Sequence, residues 1–159
     1  MRARGISIGM KRILFKKSKA RVKSTDQPLV VMVDDEPDLC QLMELALRAR
    51  GYAFATAHDG RAGLELIRER RPTLVLLDIR MPIMNGYQLL ALLQQDPKFA
   101  RVPVFVMTSM DSERQFSDEE WASRLGIARY VSKPFDPEAV AALIDQELCD
   151  PPASPDPSA

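Results

Sequence analysis

Apolar residues fall along this chain in short solid runs, separated by stretches with helical spacing. LVVMV at 29–33, AFATA at 53–57, LVLL at 74–77, VFVM at 104–107 and YVS at 130–132 read as five strands. LVVMV and LVLL show no polar alternation, as a strand covered on both faces requires. After the first run, Leu39, Leu42, Met43 and Ala46 keep the i, i+3, i+4, i+7 spacing of an amphipathic helix, and Gly51 is placed to close it at the C′ position. Asp59-Gly60 leads into a second helix with Leu66 and Ile67 inward and Pro72 as its stop. Residues 86–95 form a third, with Leu89, Leu90 and Leu93 inward. Ser117-Asp118-Glu119-Glu120 has the form of a capping box, so a fourth starts near Asp118 and ends at Gly126. Trp121 and Leu125 share a face of it, and Trp121 reads as a core or half-core anchor. Asp136 is placed to N-cap a fifth, with Pro137 at its first position and Val140, Leu143 and Ile144 as its inner face.

Five strands alternating with five helices predict a doubly wound α/β fold, a parallel sheet covered on both faces with right-handed crossovers. Such sheets bind ligands beyond the C-terminal ends of their strands, where the strand order reverses. Four of the apolar runs end on polar groups of different kinds: Asp34-Asp35, Asp78, Thr108 and Lys133-Pro134. Asp34 and Asp35 have a plainer reading as caps of the helix near Pro37. Asp78 is harder to dismiss, because a carboxylate directly after four apolar residues is partly buried, which is costly without a cation or donors. Three carboxylates at one sheet edge repel one another, and a hard divalent ion such as Mg²⁺ relieves this with oxygen ligands. Lys133 and Thr108 add a fixed positive charge and a hydroxyl, which suit phosphoryl oxygens. One carboxylate is then free to act as nucleophile, and Asp78 is the lone acid on its strand.

The formal net charge of zero hides an asymmetry. Residues 1–27 carry nine Lys/Arg and one acid, Asp26, whereas residues 28–150 carry 13 Lys/Arg and 20 Asp/Glu. The chain therefore divides into a basic, disordered tail (1–27), an acidic domain (28–149) and a Pro-rich, disordered tail (150–159). MKRILFKK at 10–17 is a basic amphipathic stretch of the kind found on membranes or nucleic acid; a plain leader, or a later start at Met10, is the simpler reading. No apolar run approaches the roughly 18 residues of a membrane span, and no secretory signal is visible. Cys40 and Cys149 follow no metal spacing and read as free thiols at opposite ends of the sheet. A cytoplasmic location follows. His58, the single histidine, reads as a solvated loop residue.

Over roughly residues 28–149 the chain resembles the CheY-like receiver domain of two-component response regulators. The resemblance rests on Asp34-Asp35-Glu36, on LLDIRMPIMNGYQLL around Asp78, on Thr108-Ser109 and on YVSKPF from Tyr130 to Phe135. It implies a flavodoxin-like sheet of order 2-1-3-4-5. It implies that Asp78 accepts a phosphoryl group from the phosphohistidine of a sensor histidine kinase or phosphotransfer protein. Mg²⁺ (or Mn²⁺) would be held by Asp35, Asp78 and the backbone carbonyl of Arg80, with Asp34 helping through water. Lys133 would pair with the phosphoryl oxygens, Thr108 would move to hydrogen-bond them, and Tyr130 would be the switch aromatic that turns inward. The Lys133–Pro134 bond would be cis.

The resemblance also implies a signalling domain rather than an enzyme, with at most self-catalysed phosphotransfer and autodephosphorylation. Its output face, the fourth helix, fifth strand and last helix, would meet an unknown downstream protein and allows a homodimer. The reading is a single-domain response regulator with no DNA-binding domain in the chain. Two other readings stand beside it: a receiver-like module not switched by phosphorylation, and a metal-dependent aspartyl phosphatase. Such phosphatases commonly place a second Asp two residues after the nucleophile, where this chain has Arg80. The chain departs from the family in three places. The 25 positions from Thr108 to Lys133 are a few more than the family pattern, with the surplus in SMDSERQFS. Arg80 and Met110 occupy the two positions that tune loss of the phosphoryl group. The basic tail has no counterpart.

Overall fold

The computed structural model describes residues 27–109 and 116–149. Its elements run β1 (Leu29–Val33), α1 (Pro37–Arg48), β2 (Ala53–Ala57), α2 (Gly60–Arg70), β3 (Leu74–Asp78), α3 (Gly86–Gln95), β4 (Val104–Thr108), α4 (Asp118–Leu125), β5 (Arg129–Ser132) and α5 (Pro137–Cys149). The five strands form one sheet in the order β2-β1-β3-β4-β5, with every pair parallel. The order turns back between β1 and β3, which opens a crevice beyond their C-terminal ends.

The solid apolar runs have the expected cause. β1, β3 and β4 are buried at every position because each lies under helices on both faces. Alternate residues feed two cores. Val31, Val33, Val75, Leu77, Val104 and Val106 meet Leu64 and Ile67 of α2 and Leu89, Leu90 and Leu93 of α3. Val30, Met32, Leu74, Leu76, Phe105 and Met107 meet Met43 and Leu47 of α1 and Val140, Ala141 and Ile144 of α5.

Two sequence expectations about α1 need correction. Its inward face is Cys40, Met43, Ala46 and Leu47, while Leu42 is 52% exposed and Leu45 70% exposed. Both stripes have helical period, and the packing against Phe54 and α5 selects the one that includes Cys40. The helix cap is Ala49, in the right-handed region, and Gly51 takes its positive φ of 89° two residues beyond it rather than at C′. The other ends follow the sequence more closely. The Asp59 carboxylate accepts from Ala62 N–H, Ser117 and Glu120 form the capping box of α4, and Asp136 accepts from Glu138 N–H. On α3, Asn85 and Gln88 form a further capping box. Leu66 and Leu143 are half-buried rather than core, and Trp121 and Leu125 are half-buried against the α2/α3-side core. Both terminal tails and the lengthened stretch at 110–115 lie outside the described residues.

Candidate functional site

Strand register builds the site. Val33 pairs with Leu77, so the next residues, Asp34 and Asp78, come level at the C-terminal edge of β1 and β3. By strand alternation Asp34 shares the parity of Met32, Asp78 that of Leu76 and Lys133 that of Val131, all on the α1/α5 side. The three side chains meet there. The Lys133 ammonium donates to Asp34 Oδ2 at 2.8 Å and to Glu36 Oε1 at 2.7 Å, and lies 3.7 Å from Asp78 Oδ2. Asp34 is fully buried and Asp78 only 4% exposed, while Asp35 is exposed. One carboxylate oxygen from each of Asp34, Asp35 and Asp78 lies within 4.8 Å of the others, a spacing open to a single cation.

The electrostatics follow from burial. Desolvation and the charge of Asp34 raise Asp78 to about 6, against the pull of Lys133 and the backbone N–H of Arg80. Burial also holds Asp34 above the usual carboxylate range, although Lys133 and the Glu36 N–H oppose it. Burial alone would lower Lys133, but its bonds to Asp34 and Glu36 outweigh that and hold the ammonium above its ordinary value. The donor set is therefore two buried acids that face the Lys133 ammonium and one exposed acid, Asp35. Hard oxygen ligands with surplus negative charge fit a divalent ion of the Mg²⁺ class.

Thr108, at the end of β4, is fully buried, and its hydroxyl has no hydrogen-bond partner among the described residues. A buried hydroxyl left unsatisfied is costly and marks a place where a ligand oxygen fits. Thr108 has the parity of Val106 rather than of Phe105, which sets it apart from the Lys133 cluster. Tyr130 is buried in the α2/α3-side core, with its ring stacked on Trp121 at 6.0 Å; Trp121 in turn meets Phe116 edge-on. The residue that the resemblance casts as the switch aromatic is thus already inward here. The Lys133–Pro134 bond is cis, as the resemblance implies.

The loop after Asp78 approaches the site through its backbone. Arg80 N–H donates to Asp78 Oδ1 at 3.4 Å, and Gly86 N–H to the Ile79 carbonyl at 2.9 Å. A Cβ on Gly86 would lie 2.3 Å from the Asp78 carbonyl oxygen, so only glycine lets α3 start so close to the strand end. Ile83 has φ 70° and is 74% exposed, an unusual conformation for a β-branched residue.

Two contacts were not foreseen. Glu36, part of the motif but given no role, is the second partner of Lys133; its place directly after the acid pair was the available signal. His58 is exposed but not simply solvated, since its Nδ1 bonds the Asp34 backbone carbonyl at 2.9 Å. Asp34 and Asp35 do not cap α1 directly: its N-cap is Glu36, whose side chain makes no cap bond, and Asp34 accepts from the Glu36 N–H. Cys40 and Cys149 are free thiols, near the start of α1 and at the end of α5, and burial raises Cys40.

The model of the response regulator receiver domain matches residues 30–145. The chain belongs to the response regulator receiver family. It is 33% identical over 119 residues to protein PilH of Pseudomonas aeruginosa, a match covering 75% of this chain and 96% of PilH. It is 34% identical to the DNA-binding response regulator MtrA of Mycolicibacterium smegmatis, covering 75% of this chain and 50% of MtrA. The receiver thus spans almost all of one relative and half of another. Among solved structures, a putative response regulator from Chloroflexus aurantiacus is 25% identical with a TM-score of 0.68, covering 78% of this chain and 99% of that one. The chemotaxis response regulator CheY4 of Vibrio cholerae shares the fold, with a TM-score of 0.67 at 24% identity over 76% of this chain and 98% of CheY4. Among the described residues of this receiver, no helix is long and apolar enough to cross a membrane.

Proposed function

We propose that this receiver takes a phosphoryl group on Asp78 from the phosphohistidine of a sensor histidine kinase or phosphotransfer protein. The observation that carries the reading is a buried Asp78 that faces the Lys133 ammonium shared with Asp34; the buried Thr108 hydroxyl, at the end of the neighbouring strand and with no partner among the described residues, supports it. An Asp78 oxygen attacks phosphorus; the P–O bond forms as the P–N bond breaks, and the electron pair leaves with the imidazole, which gains a proton. With an Asp78 pKa of about 6, the carboxylate is largely ionised near neutral pH and ready to attack.

Asp34, Asp35 and Asp78, with the Arg80 backbone carbonyl, would hold Mg²⁺ or Mn²⁺, which supplies charge neutralisation for the phosphoryl oxygens when bound. Lys133 lies 3.7 Å from Asp78 and is placed to pair with an added phosphoryl oxygen at the expense of its bond to Glu36. Thr108 donates its free hydroxyl to the same group, and its movement alters the packing of Tyr130 against Trp121. The domain then acts as a two-state element biased by one added charge cluster. The output is a protein contact, or a second copy, on the α4–β5–α5 face. The near-full coverage of PilH supports a receiver that acts without an attached DNA-binding domain, and a cytoplasmic site fits a partner kinase. The receiver domain spans 28–149, with a tail on either side.

The test is labelling by acetyl phosphate with Mg²⁺. Asp78→Asn is expected to abolish it, and undiminished labelling of that variant would overturn the assignment. Multiple turnover of a phosphomonoester would instead favour the phosphatase reading.

A further inference from the structure

The face between α4, β5 and α5 holds a groove of about 240 Å³, lined by Asp118, Glu119, Ala122, Arg129, Val131 and Leu143 among others. Among the described residues β5 pairs with β4 alone, so its outer edge is open along this groove. The Nε of Arg129, one of the lining residues, is buried and has no hydrogen-bond partner among the described residues. The chain segment that supplies this face is acidic, with Asp118 and Glu119 lining the groove beside Arg129, while Glu138 and Asp145 are turned to Arg50, just beyond α1. Residues 118–149 carry seven acidic and three basic side chains, whereas residues 28–117 carry twelve and ten.

Residues 10–17, MKRILFKK, have the complementary chemistry: Met10, Ile13, Leu14 and Phe15 are apolar, and Lys11, Arg12, Lys16 and Lys17 are cationic. Residues 18–27 join this segment to the domain, and ten residues reach up to about 33 Å. From β1 to β5 is three strand spacings, about 14 Å. The segment therefore reaches the groove of its own molecule. The net acidity of the domain works against an anionic membrane or nucleic acid drawing the tail away.

We propose that residues 10–17 occupy the α4–β5–α5 groove of the same chain, with apolar side chains on Ala122, Val131 and Leu143 and cations on Asp118 and Glu119. The tail would then compete with any downstream protein for the face. That consequence, but not the contact itself, rests on the output reading given above.

The test is zero-length carbodiimide cross-linking of the full chain without a phosphodonor, followed by peptide mapping, so the outcome does not depend on Asp78. The expected result is links from Lys11, Lys16 or Lys17 to Asp118 or Glu119, with a yield that does not change on dilution. Those links disappear in an Asp118→Asn, Glu119→Gln variant and persist in a Glu65→Gln, Glu69→Gln variant of α2. An Ile13→Ser, Leu14→Ser variant keeps every charge and cannot unfold the domain, and it too is expected to lose the links. Undiminished links in that variant would show charge attraction without a seated segment and overturn the proposal. Links spread evenly over the acids of α1 and α2 would also overturn it. So would a yield that falls on dilution, which would indicate a second copy in the groove. Absent links, with the chain pelleting on phosphatidylserine vesicles, would assign the tail to a membrane instead.

Discussion

The end of β3 and the region around β5 serve one signalling domain but are built to different standards. β3 is buried throughout, and α3 beside it buries Leu89, Leu90 and Leu93 and starts within van der Waals reach of the Asp78 carbonyl. β5 is an edge strand with one buried residue, Tyr130, and α4 beside it buries none. The proposed phosphoacceptor thus sits among fully buried strands, while the face proposed for output is built from half-buried elements. A switch needs both: a fixed reaction geometry, and a second element whose two arrangements lie close in free energy.

The largest effect expected from challenging this contrast is chemical. Lys133→Ala removes the only cation facing Asp78 among the described ion pairs, and labelling by acetyl phosphate should fall by about 10²-fold or more. A variant that labels at the parental rate would mean that the Lys133 cluster is a structural ion pair only. Next is packing. Leu76→Ala in the fully buried β3 should cost about 2–5 kcal/mol in urea unfolding, whereas Leu125→Ala in half-buried α4 should cost about 1 kcal/mol. Equal costs would erase the distinction between the two regions.

The third prediction concerns the strain of burying Asp78. Its pKa is raised from 3.8 to about 6, so the folded state holds the proton more tightly than the unfolded chain. The associated stability is complete below about pH 3.8 and is lost as pH rises through about 6. Metal-free Asp78→Asn should therefore exceed the parent in stability at about pH 7, by up to about 3 kcal/mol, with the gap closing towards about pH 4. A gap independent of pH would refute the electrostatic origin. The smallest effect is at Ile83, where Ile83→Asn relieves a left-handed backbone and should stabilise by about 1 kcal/mol without altering labelling.

Much of this was legible in the chain. Solid apolar runs located β1, β3 and β4, because a strand covered on both faces cannot alternate, while the half-buried edge strands β2 and β5 were located by their place between helical stretches. Ser117 and Glu120 located the start of α4, because a capping box satisfies helix-end donors locally. The polar residues closing the runs named the candidate site, because parallel strands bring their C-terminal ends to one edge. Leu42 was misread because two stripes of α1 have helical period, and only the neighbours Phe54 and α5 choose between them.

The sequence by itself determined the elements, the edge on which the chemistry gathers and the kinds of group there, since each depends on local periodicity and on strand ends. The tertiary structure alone decided that Lys133 rests between Asp34 and Glu36, that Thr108 is buried with no partner among the described residues, and that Tyr130 already lies inward on Trp121. Asp34 and Lys133 are 99 residues apart in the chain. Their meeting depends on sheet order, register and side-chain parity together, and no local pattern carries all three.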